Sequence, residues 1–464
     1  MNLRLASDHA TWEKIDRTIV LCHGCFDLLH LGHIRHLREA KALGTYLVVS
    51  ITPDAHVKKG IQRPVFSAEQ RLEAIRALAC VDDAFINDGE DATSAIDKVK
   101  PSIYVKGEDY AQRDSDDPAL AREIAAVTAH GGTFHTTRSQ RWSSSRIINE
   151  QRLSDDLLRF IERARALGFH DKIRQAFERA DQRSIAFVGE TILDEYCYVS
   201  PLAKPSKEFM LATVTSRESE CFLGGVVAAS KHADWPNTEL ITVHEGPLLK
   251  TIFVDSDFSR KLFEVYSRTG INLDSHRRER FQNELSTAVH DCDVIVVLDF
   301  GHGLMGEQER GITEASNFLA LNAQTNAGNH GFNPVTRYLV ADYVCIDEGE
   351  ARLASGKQDD PCESLPHAVS VRMKNAGVIV TRGRNGSATR FGQIPAIASH
   401  GGTDTMGAGD AFLAVTAPLI AAGLDLEAAA FVGNVAGAIK LEIVGHRSHV
   451  GRAELMQTID ALLK

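Results

Sequence analysis

No apolar run in this sequence approaches the roughly 20 residues that a membrane-spanning helix needs. The longest candidates, LVVSI and VIVVL, have the length of buried strands. The opening stretch, MNLRLASDHATWEKIDR, lacks the apolar centre of a secretory signal. A cytoplasmic location with reduced thiols is therefore the expectation. Cysteine is sparse, 8 in 464 residues, and scattered. Only Cys22 and Cys25 form a CxxC, and no second pair stands at zinc-site spacing, so the two read as small structural residues. A basic surplus is missing as well. The formal net charge is -11, whereas a generic nucleic-acid grip needs a basic face to displace counterions from phosphates. Neither a membrane nor a nucleic acid is an expected partner. With 44% hydrophobic and 24% charged residues the composition is that of a soluble globular protein, which excludes collagen, full disorder and a disulfide-stapled miniprotein.

What is present is two α/β patterns, in a length that suggests two to four domains. In the first, residues 1–150, RTIVLCHGCFD is an apolar strand running into a Gly-containing loop. HIRHLREAKAL has helical period, and TYLVVSI, VDDAFIN and PSIYVKGEDY read as further strands. Strands alternating with helices imply a parallel sheet covered on both faces. Residues 151–183 are charged and helical in period, with Leu157, Phe160 and Ile161 able to share one face and Ile173, Phe177 and Ala180 another. They read as a helical connector. The second pattern, 184–464, opens at SIAFVGETILDEY and continues through ELITVH, DVIVVLDF, YVCID and GVIVTRG to two apolar helices.

Two constellations carry chemistry. In GCFDLLHLGHIRHL, His30 and His33 flank Gly32 where a strand and loop give way to a helix. A helix N-terminus offers free N–H groups and a positive dipole end, which attract phosphate. Two imidazoles there can donate to phosphate oxygens while charge shifts toward a leaving pyrophosphate. Downstream come KKGIQRPVFSAEQR, YVKGEDY and RWSSSRII. Together these stretches resemble the HxGH nucleotidyltransferases, the superfamily of cytidylyltransferases and adenylyltransferases, over residues 17–150. The resemblance implies a Rossmann-like domain in which His30 and His33 contact the triphosphate. It implies that Gly24, Cys25 and Phe26 line the loop under the nucleotide and that Asp27 shapes it. Lys58 or Lys59 would neutralise phosphate charge, Arg63 would bind phosphate or substrate, and Lys106, Gly107 and Asp109 would flank the nucleotide. Ser143, Ser144 and Ser145 would hold β- and γ-phosphates, with Mg²⁺ as the counterion.

The second constellation is HGGTDTMGAGDAFLA. Its small residues let successive N–H groups converge at the start of an apolar helix, a nest for negative charge. Asp410 sits at the mouth, where it can take a proton from an attacking hydroxyl or serve as a helix N-cap. DTMGAGDAF resembles the signature of the ribokinase-like (PfkB) sugar kinases, and FVGETILDEY, FLGGVVAAS, DYVCIDEGEARLA and VIVTRGRNG follow the family's order over residues 184–461. The resemblance implies an αβα domain with Asp410 as catalytic base. Nucleotide and phosphate would be held by Thr405, Gly407, Ala408 and Gly409, by Asp347 and Glu350 near Mg²⁺, and by Thr381, Gly383 and Gly386 beside the ATP base. Asp194, Gly224, Gly225 and Asn333 would face the sugar. Departures from the family pattern touch mostly the acceptor side: Glu190 after Gly189, Val226 to Ala229 after Gly–Gly, Asp347 for Asn, and Asn333–Pro334 for Asp–Pro. Such losses either cost the ordinary sugar or mark a different acceptor. Lys204 and Lys207 are charges for an anionic acceptor, or exposed lysines that bind nothing.

One chain with both modules resembles the bifunctional heptose kinase–adenylyltransferases of bacterial surface-sugar synthesis, with the order of the modules reversed. The implied work is nucleotidyl transfer from ATP, or from CTP, to a sugar phosphate, together with ATP-dependent phosphorylation of a sugar or sugar phosphate. The alternative is an active transferase whose second module is a degenerate kinase used for binding or dimerisation. A homodimer is expected by resemblance.

Overall fold

A computed structural model describes residues 17–57, 64–107, 118–137, 154–202, 213–243, 247–257, 260–267, 270–397 and 404–463. The chain divides into two compact units, Met1–Arg152 and Leu153–Lys464.

The first unit carries strands β1 (Ile19–Gly24), β2 (Tyr46–Ile51), β3 (Asp83–Ile86), β4 (Ile103–Lys106) and β5 (Thr133–Thr136). Its helices are α1 (Leu31–Ala42), α2 (Ala68–Arg76), α3 (Thr93–Val99) and α4 (Pro118–Ala129). The sheet is parallel throughout, in the order β3-β2-β1-β4-β5. Alternation along each strand divides the core. Val20, Cys22, Val49 and Ile51 meet Leu37, Ala40 and Ile75 of α1 and α2. Leu21, Val48 and Tyr104 meet Ile96, Val99 and Val127 of α3 and α4. Both faces are thus dry, which is why these strands read as continuous apolar runs. Because this core closes on itself, a fragment ending at Asn149 is expected to be soluble and to bind nucleotide. Gel filtration and nucleotide titration of the fragment check this, and aggregation would show that the cut runs through a shared core.

In the second unit, α5 (Asp155–Ala166) and α6 (Phe169–Ala180) form from the stretch read as a connector. The structure packs them into this unit. Leu157, Phe160, Ile161, Ile173, Phe177 and Ala180 are buried, Phe160 lies against Phe431, and Phe177 stacks on Trp235 at 5.5 Å. A covered face of this kind makes them part of the core.

An eight-stranded sheet follows the order β10-β6-β13-β14-β15-β16-β17-β18. It contains β6 (Ile185–Gly189), β10 (Thr238–Ile241), β13 (Val294–Asp299), β14 (Leu319–Ala323), β15 (Tyr343–Asp347), β16 (Gly377–Thr381), β17 (Ser387–Thr389) and β18 (Gly392–Ile394). The remaining helices are α7 (Val226–Ala229), α8 (Ser275–Asp291), α9 (Glu307–Thr313), α10 (Glu348–Ser355), α11 (Leu365–Arg372), α12 (Ala408–Ala421), α13 (Leu426–Leu441) and α14 (Arg452–Leu463). Val188, Val297, Val344 and Ile346 pack with Phe281 and Leu285 of α8 and Leu365 and Val369 of α11. Tyr343, on the opposite face, shares a hydrogen bond of 2.9 Å with Thr416 of α12.

A second, smaller sheet is built from β7 (Thr191–Pro201), β8 (Thr213–Thr215), β9 (Glu220–Gly225), β11 (Leu248–Asp255) and β12 (Arg260–Tyr266). SIAFVGETILDEY, which reads as one strand, is broken at Glu190: β6 stays in the large sheet and β7 starts the small one. The break follows from Gly189 and Gly225. A Cβ at Gly189 would overlap the Leu298 carbonyl, and one at Gly225, whose φ is +61°, would overlap the Glu190 carbonyl.

Candidate active sites

In the first unit the chain reverses its direction of strand addition between β1 and β4. At such a switch point the loops after the two neighbouring strands diverge and leave a crevice at their carboxyl ends, where ligands of open α/β sheets bind. Gly24 ends β1 and Lys106 ends β4, with Cys22 paired to Val105 in register. The loop after β1 turns sharply, with Phe26 and Leu28 both at φ +49°. Buried Asp27 fixes it by accepting hydrogen bonds from the Val65 N–H at 2.9 and 3.0 Å and from the Phe66 N–H at 3.2 Å. His30 is the N-cap of α1, and its Nδ1 accepts from the Gly32 N–H at 3.1 Å. The His30 and His33 rings stack, centroids 3.9 Å apart, and Phe26 meets His33 edge-on at 5.5 Å. Gly24 lies against the Phe26 ring, which a Cβ would meet at 3.2 Å.

Lys106 is buried and ion-paired to Glu123 at 3.0 Å, and Glu123 also accepts from the Tyr104 hydroxyl. Burial, and after it the Lys106 charge, pushes the imidazoles of His23 and His36 down to about 3 and about 4, so both are neutral at physiological pH. Gly107 is half-buried, with open space where a Cβ would stand. Lys58, Lys59, Arg63, Asp109, Ser143, Ser144 and Ser145 lie outside the described residues.

Arg71 of α2 is the residue that motif reading missed here, although it ends the quoted KKGIQRPVFSAEQR. Its guanidinium is buried and donates to the carbonyls of Cys25 (2.6 Å), Thr52 (2.9 Å) and Phe66 (3.0 Å) and to Asp54 (2.6 Å). It thus ties the loop after β1 to the loop after β2. Arg71→Met is expected to cost roughly 3 kcal/mol, since the buried carbonyls of Cys25 and Thr52 lose their donor at about 1–3 kcal/mol each and the partly buried carbonyl of Phe66 loses one too. Denaturant unfolding of the variant measures this.

In the second unit Asp410 lies in the first turn of α12. The N-cap is Gly407, at φ +73°, so Asp410 is free of the capping role. Its carboxylate accepts from Gln324 Nε2 at 3.0 Å. Burial raises its pKa to about 6, against the pull of His446, Lys440 and Lys250. Ala408 and Gly409 begin the helix, and Thr405 is exposed at the mouth of the turn.

The small sheet faces this turn. Alternation puts Asp194, Tyr196, Lys250 and Lys261 on its inner side, with Tyr196 packed near Met406 and Val444. Asp194 contacts His446 at 3.3 Å, both nearly fully buried. Gly224 touches the same pair, because a Cβ there would overlap Asp194 and meet His446 at 3.1 Å. Asp404 accepts from Lys261 (2.5 Å), Tyr196 (2.9 Å) and the Met406 and Gly445 N–H groups (3.0 and 2.8 Å).

Asp347 is the N-cap of α10 and forms a capping box with Glu350. Glu350 also accepts from the Thr325 N–H at 3.0 Å, and burial followed by the Asp347 charge raises its pKa to about 7. The Asp410 charge adds to the effect on Glu350. Among the described residues no group of three or more His, Cys, Asp or Glu side chains is arranged to hold a metal ion. Thr381 pairs with Asp347 in register, and Gly383 (φ +53°) and Gly386 (φ +80°) turn the chain just beyond.

Two departures from the family pattern have structural occupations. Glu190 is buried and accepts from the N–H groups of Phe300 (3.0 Å) and His302 (3.1 Å). Asn333 donates to the Asp299 carbonyl at 3.1 Å and accepts from Arg337 at 2.8 Å. Both brace the loops after β13 and β14 rather than opening a gap. Lys204 and Lys207 lie outside the described residues. His446, Lys250, Lys261 and Gln324 carry no motif, and only pairing across the fold brings them to Asp410 and Asp404.

No helix among the described residues is long and apolar enough to cross a membrane. Residues 21–150 match the cytidylyltransferase-like family model, and residues 310–450 match that of the pfkB family of carbohydrate kinases. A protein of Syntrophotalea carbinolica named bifunctional protein HldE is 41% identical over 96 residues, 20% of this chain and 20% of that one. Its namesake from Helicobacter pylori strain G27 is 40% identical over 115 residues, 24% of this chain and 25% of the relative. The alignments thus span a quarter or less of these relatives' length. Among solved structures, a ribokinase from Thermotoga maritima aligns at TM-score 0.45 and 18% identity, covering 60% of this chain and 99% of that one. The chain therefore carries a cytidylyltransferase-like domain followed by a domain of the pfkB carbohydrate-kinase type.

Proposed function

We propose that the chain is a bifunctional sugar-activating enzyme. The first unit transfers a nucleotidyl group from ATP, in preference to CTP, to a sugar phosphate and releases pyrophosphate. The second phosphorylates a sugar or sugar phosphate at the expense of ATP. The observation that carries this is the stacked His30–His33 pair at the N-terminus of α1, beside the switch point of a parallel sheet. In the transfer step the sugar-phosphate oxygen attacks the α-phosphorus, the bond to the β-phosphate oxygen breaks, and pyrophosphate leaves with the displaced charge. Imidazole N–H groups and the α1 dipole meet that charge where it develops.

In the kinase step Asp410 takes the proton of the acceptor hydroxyl, with Gln324 holding its carboxylate. The Gly407–Gly409 turn receives the γ-phosphoryl group. Mg²⁺ bound through the nucleotide phosphates would balance the charge of Glu350 and Asp347. A homodimer through the small sheet fits its outer face, where Leu223, Phe263 and Val265 are about half exposed. The setting is cytoplasmic nucleotide-sugar synthesis of the kind that feeds surface polysaccharides.

The test is pyrophosphate release from ATP and from CTP across a panel of sugar phosphates, with ADP formation followed across sugars and sugar phosphates. Release from either nucleotide is expected with at least one sugar phosphate. No release with any combination would overturn the transferase reading, and no ADP would overturn the kinase reading.

A further inference from the structure

We propose that Lys440 is a positioning residue that supplies the fixed counter-charge behind the phosphate nest at Thr405–Asp410; this rests on the kinase reading of the second unit. Lys440 is fully buried on α13. Its Nζ donates to the carbonyls of Gly445 (2.8 Å) and Ile443 (3.3 Å). Among the described residues no carboxylate stands within ion-pairing distance of it. The nearby Asp404 is already matched by Lys261, the Tyr196 hydroxyl and two backbone N–H groups. A buried ammonium without a paired carboxylate is costly, and burial lowers the pKa of Lys440 despite the opposing pull of Asp404 and Asp410.

Its position accounts for that cost. The side chain runs directly beneath Gly407, the N-cap of α12, where a Cβ would meet Lys440 Cε at 3.4 Å. At the start of α12 the Ala408 N–H donates to the Thr405 carbonyl at 3.4 Å, whereas the next N–H groups, of Gly409 and Asp410, have no acceptor within the helix. An arriving phosphoryl group therefore meets the N–H groups in front and finds the ammonium behind. In a water-poor interior that charge acts with little screening. Lys440 also grips the 443–445 loop, which holds Asp404 through the Gly445 N–H. One side chain thereby fixes both the geometry and the charge of the nest. Sequence pattern gave a hint, since a lysine falls on the apolar face of LEAAAFVGNVAGAIKL.

Lys440→Gln separates charge from scaffolding, because the amide can still donate to the loop carbonyls; Lys440→Met removes both. Calorimetry of the full chain with MgATP and with adenosine is the measurement. Lys440→Gln is expected to weaken ATP about tenfold or more while leaving adenosine unchanged. Lys440→Met should show the same loss with a lower melting temperature.

A second readout is one that scaffolding alone would not move. Asp410 is faced by Lys440, His446 and Lys250, which favour its carboxylate, and by Asp194 and Glu350, which oppose it. Removing the Lys440 charge should therefore move the acid limb of the kinase pH profile upward. A folded Lys440→Gln that binds ATP as the wild type does, or weakens ATP and adenosine equally, overturns the proposal. Failure of the kinase reading looks different: the wild type then forms no ADP with any acceptor, and the ATP-against-adenosine comparison still decides the role of Lys440.

Discussion

Replacing His30 or His33 by alanine is expected to lower nucleotidyl transfer by about a hundredfold or more, the loss typical of a transition-state donor. Because His30 Nδ1 accepts from the Gly32 N–H, the ring proton of the neutral imidazole resides on Nε2. The stack with His33 holds both rings in one orientation, so removing either unseats the other. His30 is also a helix cap, and its loss costs on the order of 1 kcal/mol of stability. His30→Asn separates the two roles, since its side-chain oxygen still caps Gly32 while the imidazole is gone. Its melting temperature should stay near that of the wild type, and pyrophosphate release should fall as far as in the alanine variant. Near-normal release in both alanine variants would remove the histidines from the reaction.

Asp410→Asn is expected to keep ATP binding and to lower phosphoryl transfer by about 10²–10⁴, the range for a lost general base. The amide cannot take the hydroxyl proton, and it turns the contact with Gln324 Nε2 from a charge-assisted hydrogen bond into a neutral one. The wild type carries its own internal test. The base works only when ionised, so ADP formation should fall as pH drops through about 6, the value to which burial raises Asp410. For folding the sign is opposite. A carboxyl whose pKa is raised in the folded state stabilises the fold below its unfolded value near 4, and that contribution is lost as pH rises through about 6. An active kinase that is flat from pH 5 to 8, or an active Asp410→Asn, would assign the proton to another group. A wild type that binds ATP yet phosphorylates nothing in a broad panel would favour the binding-module alternative.

Elements that depend on local pattern can be read along the chain. The apolar runs at Ile19–Gly24, Val294–Asp299, Tyr343–Asp347 and Gly377–Thr381 are strands because only a sheet covered on both faces buries such runs. His30, Gly32, His33 and the Gly407–Asp410 turn were legible because a helix start and its neighbours in sequence are also neighbours in space. The two helices at Asp155–Ala166 and Phe169–Ala180 were legible as helices, but which core they join was not, since a face shows what is apolar and not what covers it. The small sheet was largely hidden: β11 and β12 alternate without a motif, and their inward lysines count only once pairing with β7 turns them toward Asp404 and Asp410. Tertiary structure also gives Glu190, a departure on the acceptor side, and Asn333, expected to face the sugar, bracing contacts with loops far away in sequence. The same holds for Arg71, His446 and Lys440. Each is ordinary along the chain and becomes consequential only where folding brings a distant carbonyl, carboxylate or glycine turn against a charge that water no longer screens.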